Sequence, residues 1–301
     1  MIEALYSKAP HSALYTPLCK VRHVLRDCSY LVSTDGKRLS AVVAYSDDAI
    51  ELTWALPGRA ETLRNLIVQV RHRLKSLTFV PVLETGRRSW SEMLSLQVIG
   101  RYFRAKYMQA LPGRTDSPPG FSIRTVDPRA DLPVVADLMN AAYPSLPRFM
   151  DVERLQAMLQ TDYYYADAWI FLHDEAIDRP IGVGISGHCA QADEGFIDWV
   201  QVLPRYQHRG LGKLLVMESV RRLAAAGCIT VSGTLDAPFA MGDLYENCGF
   251  GQFRHWSLLG EPAEAAGREA GWPGIQTPAP ISPAPPEVTT EKPRPRPTDE
   301  P

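Results

Sequence analysis

The residues with the clearest chemical content lie between Phe196 and Ala226. Gln207-His208-Arg209-Gly210-Leu211-Gly212 follows a run from Ile197 to Leu203 that is rich in β-formers and ended by Pro204. It precedes a segment with apolar residues at Leu211, Leu214, Leu215, Val220, Leu223 and Ala224, closed by Gly227. A strand that feeds a helix through a glycine-bearing turn leaves backbone N–H groups free at the helix N-terminus. Those donors and the positive end of the helix dipole form an anion site. Glycine lets a phosphate approach the backbone where a Cβ would block it. Arg209 and Lys213 can add charge to a phosphate, or can be solvated charges of the helix start. Two carboxylates, Glu194 and Asp198, stand at or just before the strand. Their even spacing puts both on one face, where either can accept a proton.

The phosphate carrier is narrowed by what fails. No Lys-Ser or Lys-Thr follows a GxxxxG pattern, so the nucleoside triphosphate loop is absent. Only Gly210-x-Gly212 of the dinucleotide fingerprint is present, with Leu215 at the third glycine position. The longer string, preceded by Val-x-Val-x-Pro, resembles the Q/R-x-x-G-x-G/A acyl-CoA loop of the GNAT acetyltransferase superfamily. Downstream, Leu244-Tyr245-Glu246-Asn247-Cys248-Gly249-Phe250 resembles that family's LYEKxGF segment. The likeness covers about residues 121 to 258.

The resemblance implies acetyl-CoA as donor substrate and no metal. The pyrophosphate would be held by the backbone of Gln207, His208, Arg209, Gly210, Leu211, Gly212 and Lys213. The pantetheine arm would pair with backbone at Val200 and Val202, on a strand that splays from its neighbour. Tyr245 would protonate the leaving thiolate, which suits a phenol that stays protonated at neutral pH; its plain alternative is a core tyrosine. Asp198 is the first candidate base, Glu194 the second and His188 the third. One departure concerns the loop before Tyr245, where the family often has Asn and this chain has Pro238.

These residues need elements to carry them. Before Pro112 the patterns predict a hairpin (30–33 and 39–45 around Asp35-Gly36), a strand at 50–56 and a helix over 63–74. A strand at 77–83, a short helix at 90–96 and a strand at 102–109 follow. Residues 1–20, interrupted by Pro10 and Pro17, give no clear element. From Phe121 comes a second series: strand 121–126, helices 132–142 and 151–159, and strands 169–173 and 181–189. The glycine-loop unit is next, then strand 229–233, helix 240–247 and strand 253–259. The two series look like a repeat. Leu56-Pro57 matches Leu203-Pro204, and the same offset sets Ile50 on Ile197 and Glu51 on Asp198. A slightly longer offset sets Phe103-Arg104 on Phe253-Arg254 and Ser95 on Tyr245. The first series has Ala60-Glu61-Thr62-Leu63-Arg64-Asn65 where the second has its glycine loop. It should therefore not bind CoA, and should support the fold and wall the acceptor site.

The expected architecture is a mixed α/β (α+β) sheet fold with two GNAT-like domains in tandem, the N-terminal one degenerate. Residues 1–112 form the degenerate domain, 113–120 a linker and 121–260 the catalytic domain. Residues 261–301 form a Pro-rich tail with 11 prolines, too poor in core formers to fold.

Composition fits this reading. The 301 residues are 45% hydrophobic and 22% charged, with net charge −2, which offers no basic field for nucleic acid or a membrane surface. No apolar run approaches a bilayer span, and no signal-peptide pattern opens the chain, so a cytoplasmic location is expected. Five cysteines without CxxC spacing suit reduced thiols. The expected function is acetyl-CoA-dependent N-acetyl transfer to a primary amine, on a small molecule or a peptide, by direct attack. The alternatives are a non-catalytic acyl-CoA-binding sensor or scaffold and a transferase using longer acyl donors. Tyr143, Tyr163, Tyr164, Tyr165 and Trp169 make the expected acceptor region, about 140–168, aromatic. Oligomeric state has no sequence signal.

Overall fold

A computed structural model describes residues 6, 14, 15, 17–74, 80–84, 89–110, 112, 116–142, 150–236 and 242–261. The expected Pro-rich tail beyond Glu261, Pro238 and Tyr143 lie outside them. The first half runs α1 (Leu18–Arg26), β1 (Ser29–Asp35), β2 (Arg38–Tyr45), β3 (Ile50–Ala55), α2 (Ala60–Arg71), β4 (Val80–Leu83), α3 (Trp90–Leu94) and β5 (Gln97–Tyr107). The second runs β6 (Phe121–Thr125), α4 (Leu132–Ala142), α5 (Val152–Leu159), β7 (Tyr164–Asp174), β8 (Arg179–Cys189), β9 (Glu194–Val202), α6 (Leu211–Ala225), β10 (Thr230–Asp236), α7 (Gly242–Asn247) and β11 (Phe250–Gly260). The fold is mixed α/β.

Local chemistry accounts for most of these elements. The β1–β2 turn carries Gly36 at φ +62, a left-handed position. Asp151 caps α5 by accepting the Arg154 N–H at 2.8 Å. Gly227 follows α6 at φ +87, as a left-handed stop. The element the sequence reading missed is α1. Pro17 reads as a breaker, but just ahead of a helix its missing N–H costs nothing, and its carbonyl accepts the Lys20 N–H at 3.0 Å.

The strands form a three-stranded sheet, β1-β2-β3, and an eight-stranded sheet in the order β4-β11-β5-β10-β9-β8-β7-β6. The larger sheet draws on both halves. β5 lies between β10 and β11, and β11 lies between β4 and β5. Both outer pairings are antiparallel: Ser232 faces Lys106 on one side, and Val82 faces Ser257 on the other. Arg104 faces Arg254 at the centre.

Apolar clusters cover both faces. One packs α6 and Tyr245 on Ile197, Val200 and Val202, and another packs α4 and α5 on Trp169, Phe171 and Trp199. Among the described residues, no helix is long and apolar enough to cross a membrane.

Candidate active site

The site is built on a fork between β9 and β10. The two strands pair in parallel only from Glu194–Thr230 to Ile197–Gly233. Beyond Gly233, β10 stays paired with β5 through Asp236, while β9 follows β8 to Val202. Among the described residues, no ladder joins 198–202 to β10. A bulge coincides with the parting: Ile185 faces Trp199 and Ser186 faces Ile197, which leaves Asp198 as the extra residue. The bulge shifts the side-chain alternation. Ile197, Val200 and Val202 point to the α6 face, and Trp199 to the α4–α5 side.

At the far end of β9 the chain makes a 3-10 turn, Pro204–Tyr206, and then the glycine loop. The Gln207 side-chain amide donates to the Val202 carbonyl at 2.9 Å, tying loop to strand. His208 and Gly210 adopt left-handed φ values of 60 and 77. This backbone turns successive N–H groups into one concavity at the start of α6. The N–H groups of Leu211, Gly212 and Lys213 have no intrahelical acceptor by helix geometry. A Cβ at Gly210 would meet nothing within 4 Å, and at Gly212 only Leu244, at 3.5 Å. The protein's own packing thus leaves the concavity free, and it fits a phosphate-bearing donor. The Arg205 and Arg209 guanidinium carbons lie 5.1 and 5.3 Å from the Tyr206 ring centroid, which holds both charges beside the loop. The Tyr206 hydroxyl donates to Asp174 at 2.9 Å, and that bond holds the phenol above its usual pKa.

Tyr245 is buried on α7, with its ring against Phe250 at a centroid distance of 5.0 Å. A Cβ at Gly233 would lie 2.5 Å from Tyr245 Cε1, so only glycine at that position lets the ring lie on β10. Gly233 is the last residue of β10 paired to β9, and Asp198 is the first of β9 past that pair. Tyr245 approaches the fork from the α6 face and Asp198 from the opposite one.

That opposite face is covered by the first half. Lys20 of α1 pairs with Asp198 at 2.5 Å, both side chains being mostly buried, and its Nζ lies 5.2 Å from the Phe196 ring centroid. Tyr163 packs edge-on against Phe196 at 5.5 Å. Burial, aided by the Asp198 charge, pushes its phenol up. Tyr164 meets Trp169, and Tyr165 meets His188, the third candidate base, at 6.2 Å.

Glu194 shares the face of Asp198, as the spacing predicted, but it is sealed. Arg104 donates to it at 2.5 Å, Tyr6 and Ser232 donate their hydroxyls, and Glu194 and Arg104 have no exposed side-chain surface. Arg104 also donates to Ser232 at 2.9 Å and to the Leu14 carbonyl at 3.1 Å. A fully buried carboxylate that already accepts three hydrogen bonds is placed to hold structure and has no path to a substrate proton. Arg104, Tyr6 and Lys20 were not anticipated as neighbours of the acids. No local signal set Arg104 apart, because β5 also carries Arg101 and Lys106.

All five cysteines are free and buried. Burial pushes the Cys28 and Cys228 thiols up to about 12 and Cys248 to about 11. Cys19 and Cys189 share a small cluster with Phe196. A hydrogen bond from Cys19, outweighing burial, holds the Cys189 thiol below its usual value. Among the described residues, no group of three His, Cys, Asp or Glu side chains is placed to hold a metal.

Comparison with known proteins agrees with this geometry. Residues 134–250 match the Acetyltransferase (GNAT) family. A GCN5-related N-acetyltransferase from Sphaerobacter thermophilus superposes with TM-score 0.57 at 18% identity, over 79% of this chain and 84% of that one. A GNAT-family acetyltransferase from Colwellia psychrerythraea gives 0.53 at 11%, over 86% and 96%. A tandem GNAT protein from the clavulanic acid biosynthesis pathway gives 0.52 at 13%, over 86% and 91%. No curated protein matches the sequence. The stretch 134–250, under half of the chain, is thus the part that is similar to the GNAT acetyltransferase family.

Proposed function

We propose that the protein is an acetyl-CoA-dependent N-acetyltransferase that acts on a primary amine of a small molecule or peptide, with its active site at the β9–β10 fork. The observation that carries this reading is the fork itself, with an anion-binding helix start at one end and a tyrosine and a carboxylate at the other. From Asp198 to Val202 the free edge of β9 spans about 13 Å, at roughly 3.3 Å per residue. That length suits an extended amide-bearing arm between the phosphate loop and a thioester at the bulge.

Acetyl-CoA bound there supplies an activated acetyl group. The backbone of 207–213 holds its phosphates, and backbone groups of Val200 and Val202 align its arm. A backbone N–H at the bulge polarises the thioester carbonyl. Asp198, directly or through water, takes the proton of the acceptor's ammonium. The amine lone pair forms the new C–N bond, the C–S bond breaks, and its electron pair leaves on sulfur. Tyr245 gives its proton to that sulfur from the opposite face. Glu194 takes no part in proton transfer and instead anchors the β9 start to Arg104.

In this reading residues 1–112 are a degenerate copy, 113–120 a linker and 121–260 the catalytic domain, joined by exchange of β5 and β11. The antiparallel β5–β11 pair, in which the repeat-matched Arg104 and Arg254 face each other, supports it. The first half's own gap is closed: Thr53 donates its hydroxyl to the Pro81 carbonyl between β3 and β4, and Leu63, Leu66, Val80 and Leu259 share one cluster there.

Thiol release from acetyl-CoA against a panel of primary amines tests the proposal. Turnover is expected for the wild type and is sharply reduced in Asp198→Asn. Tight acetyl-CoA binding with no turnover on any amine would instead make the chain an acyl-CoA-binding protein without catalysis.

A further inference from the structure

The ion pair at the acceptor end of the fork names the class of acceptor. Resting on the transferase reading above, we propose that the acceptor is a free amino acid, bound as a zwitterion whose ammonium faces Asp198 and whose carboxylate faces Lys20. The two side chains stand 2.5 Å apart on either side of the α1–β9 contact, with 12% and 15% of their side-chain surface exposed. They are reachable from solvent, yet they have left most of it. Such a pair is a weak source of stability, because desolvation offsets most of its attraction. Its second face is aromatic: Phe196 lies under the Lys20 ammonium, and Tyr163 packs on Phe196. The site is therefore a neutral pair of opposite charges set in an apolar surround, next to the point where β9 leaves β10.

Charge bookkeeping decides what can enter. A lone amine that reaches Asp198 must displace Lys20 and leave that ammonium mostly buried without a counter-charge. An amino acid brings both signs at the spacing of the pair it replaces, so one ion pair is exchanged for two and no charge is stranded. The N-acetyl product keeps its carboxylate but no longer offers a cation to Asp198, so Lys20 returns to Asp198, which favours release. Lys20 comes from the first half, so that half supplies specificity to a site whose chemistry lies in the second. Lys20 acts here through binding, with Asp198 as the group that takes the proton.

The test compares the standard L-amino acids with their methyl esters, by thiol release at saturating acetyl-CoA, in the wild type, Lys20→Met and Lys20→Arg. At least one amino acid is expected to exceed its ester in kcat/KM by about tenfold or more, the worth of one ion pair. Lys20→Met should collapse that ratio towards one, mainly through KM of the acid, and Lys20→Arg should retain most of it. Should Lys20→Met not fold, the wild-type ratio and its retention in Lys20→Arg decide. Esters or plain amines used as well as acids, or a ratio unmoved by Lys20→Met, would overturn the inference and leave the transferase reading standing. Failure of the wild type to bind acetyl-CoA would overturn both.

Discussion

In the proposed mechanism Tyr245 and Asp198 divide the proton traffic at the fork, and each role has its own signature. Tyr245→Phe is expected to lower kcat about 100-fold while acetyl-CoA affinity, measured by titration, is kept. Unchanged turnover would remove the tyrosine from the mechanism. The buried pair gives a stability prediction instead. Glu194→Ala strands Arg104 in the core and should cost about 3–5 kcal/mol by urea unfolding, and a loss under about 1 kcal/mol would contradict the structural role. The placement of Glu194 and Asp198 on one strand and of Tyr245 on a helix was legible, because strand spacing and motif position are local. Tyr6, Lys20 and Arg104 were not. Tyr6 meets Glu194 from 188 positions away and Arg104 from 90, and no periodicity in a sequence encodes such a meeting.

β9, β10 and α6 set the geometry that those residues exploit. Gly233→Ala places a methyl 2.5 Å from the Tyr245 ring, so either the ring or β10 must move. Overpacking of that kind costs about 1–3 kcal/mol, and it should depress kcat along with stability, measured by urea unfolding and thiol release together. α6 also carries a pH-sensitive brace. Burial pushes the Glu218 carboxyl up, but Arg221 at 2.7 Å and Arg222 at 2.7 Å outweigh it and hold it below its usual value. A folded-state value below the unfolded one adds stability above the unfolded value, about 4.3. That contribution is lost as pH falls through the lower folded value. Thermal unfolding of Glu218→Gln should therefore fall short of wild type above about pH 5 and converge with it in stronger acid. The succession of strands along the chain, helix caps and the loop were readable because each depends on a few neighbouring residues. The bulge at Asp198 was not, because it is a relation between β8 and β9 and appears in neither strand alone.

The shared eight-stranded sheet makes the two halves one folding unit. β5 fills the place between β10 and β11, so residues 121–260 expressed alone would leave both neighbours with unpaired edges. That fragment is expected to aggregate or stay unfolded, whereas the full chain should unfold in one transition by circular dichroism and by fluorescence. A folded, monomeric fragment would contradict the exchange of strands. Matched residues such as Phe103-Arg104 and Phe253-Arg254 suggested a repeat, but they gave no sign that β5 lies between β10 and β11, since a repeat relates elements and does not say which ones pair. In the proposed function acetyl-CoA lies in the β9–β10 fork with its phosphates on the α6 start. Calorimetric titration of acetyl-CoA into the wild type and Gly210→Glu tests it most directly. One site per chain is expected in the wild type and none in the variant, which puts a carboxylate and a side chain where the phosphates would sit. Equal binding by both would place the donor elsewhere, and no binding by the wild type would remove the transferase reading.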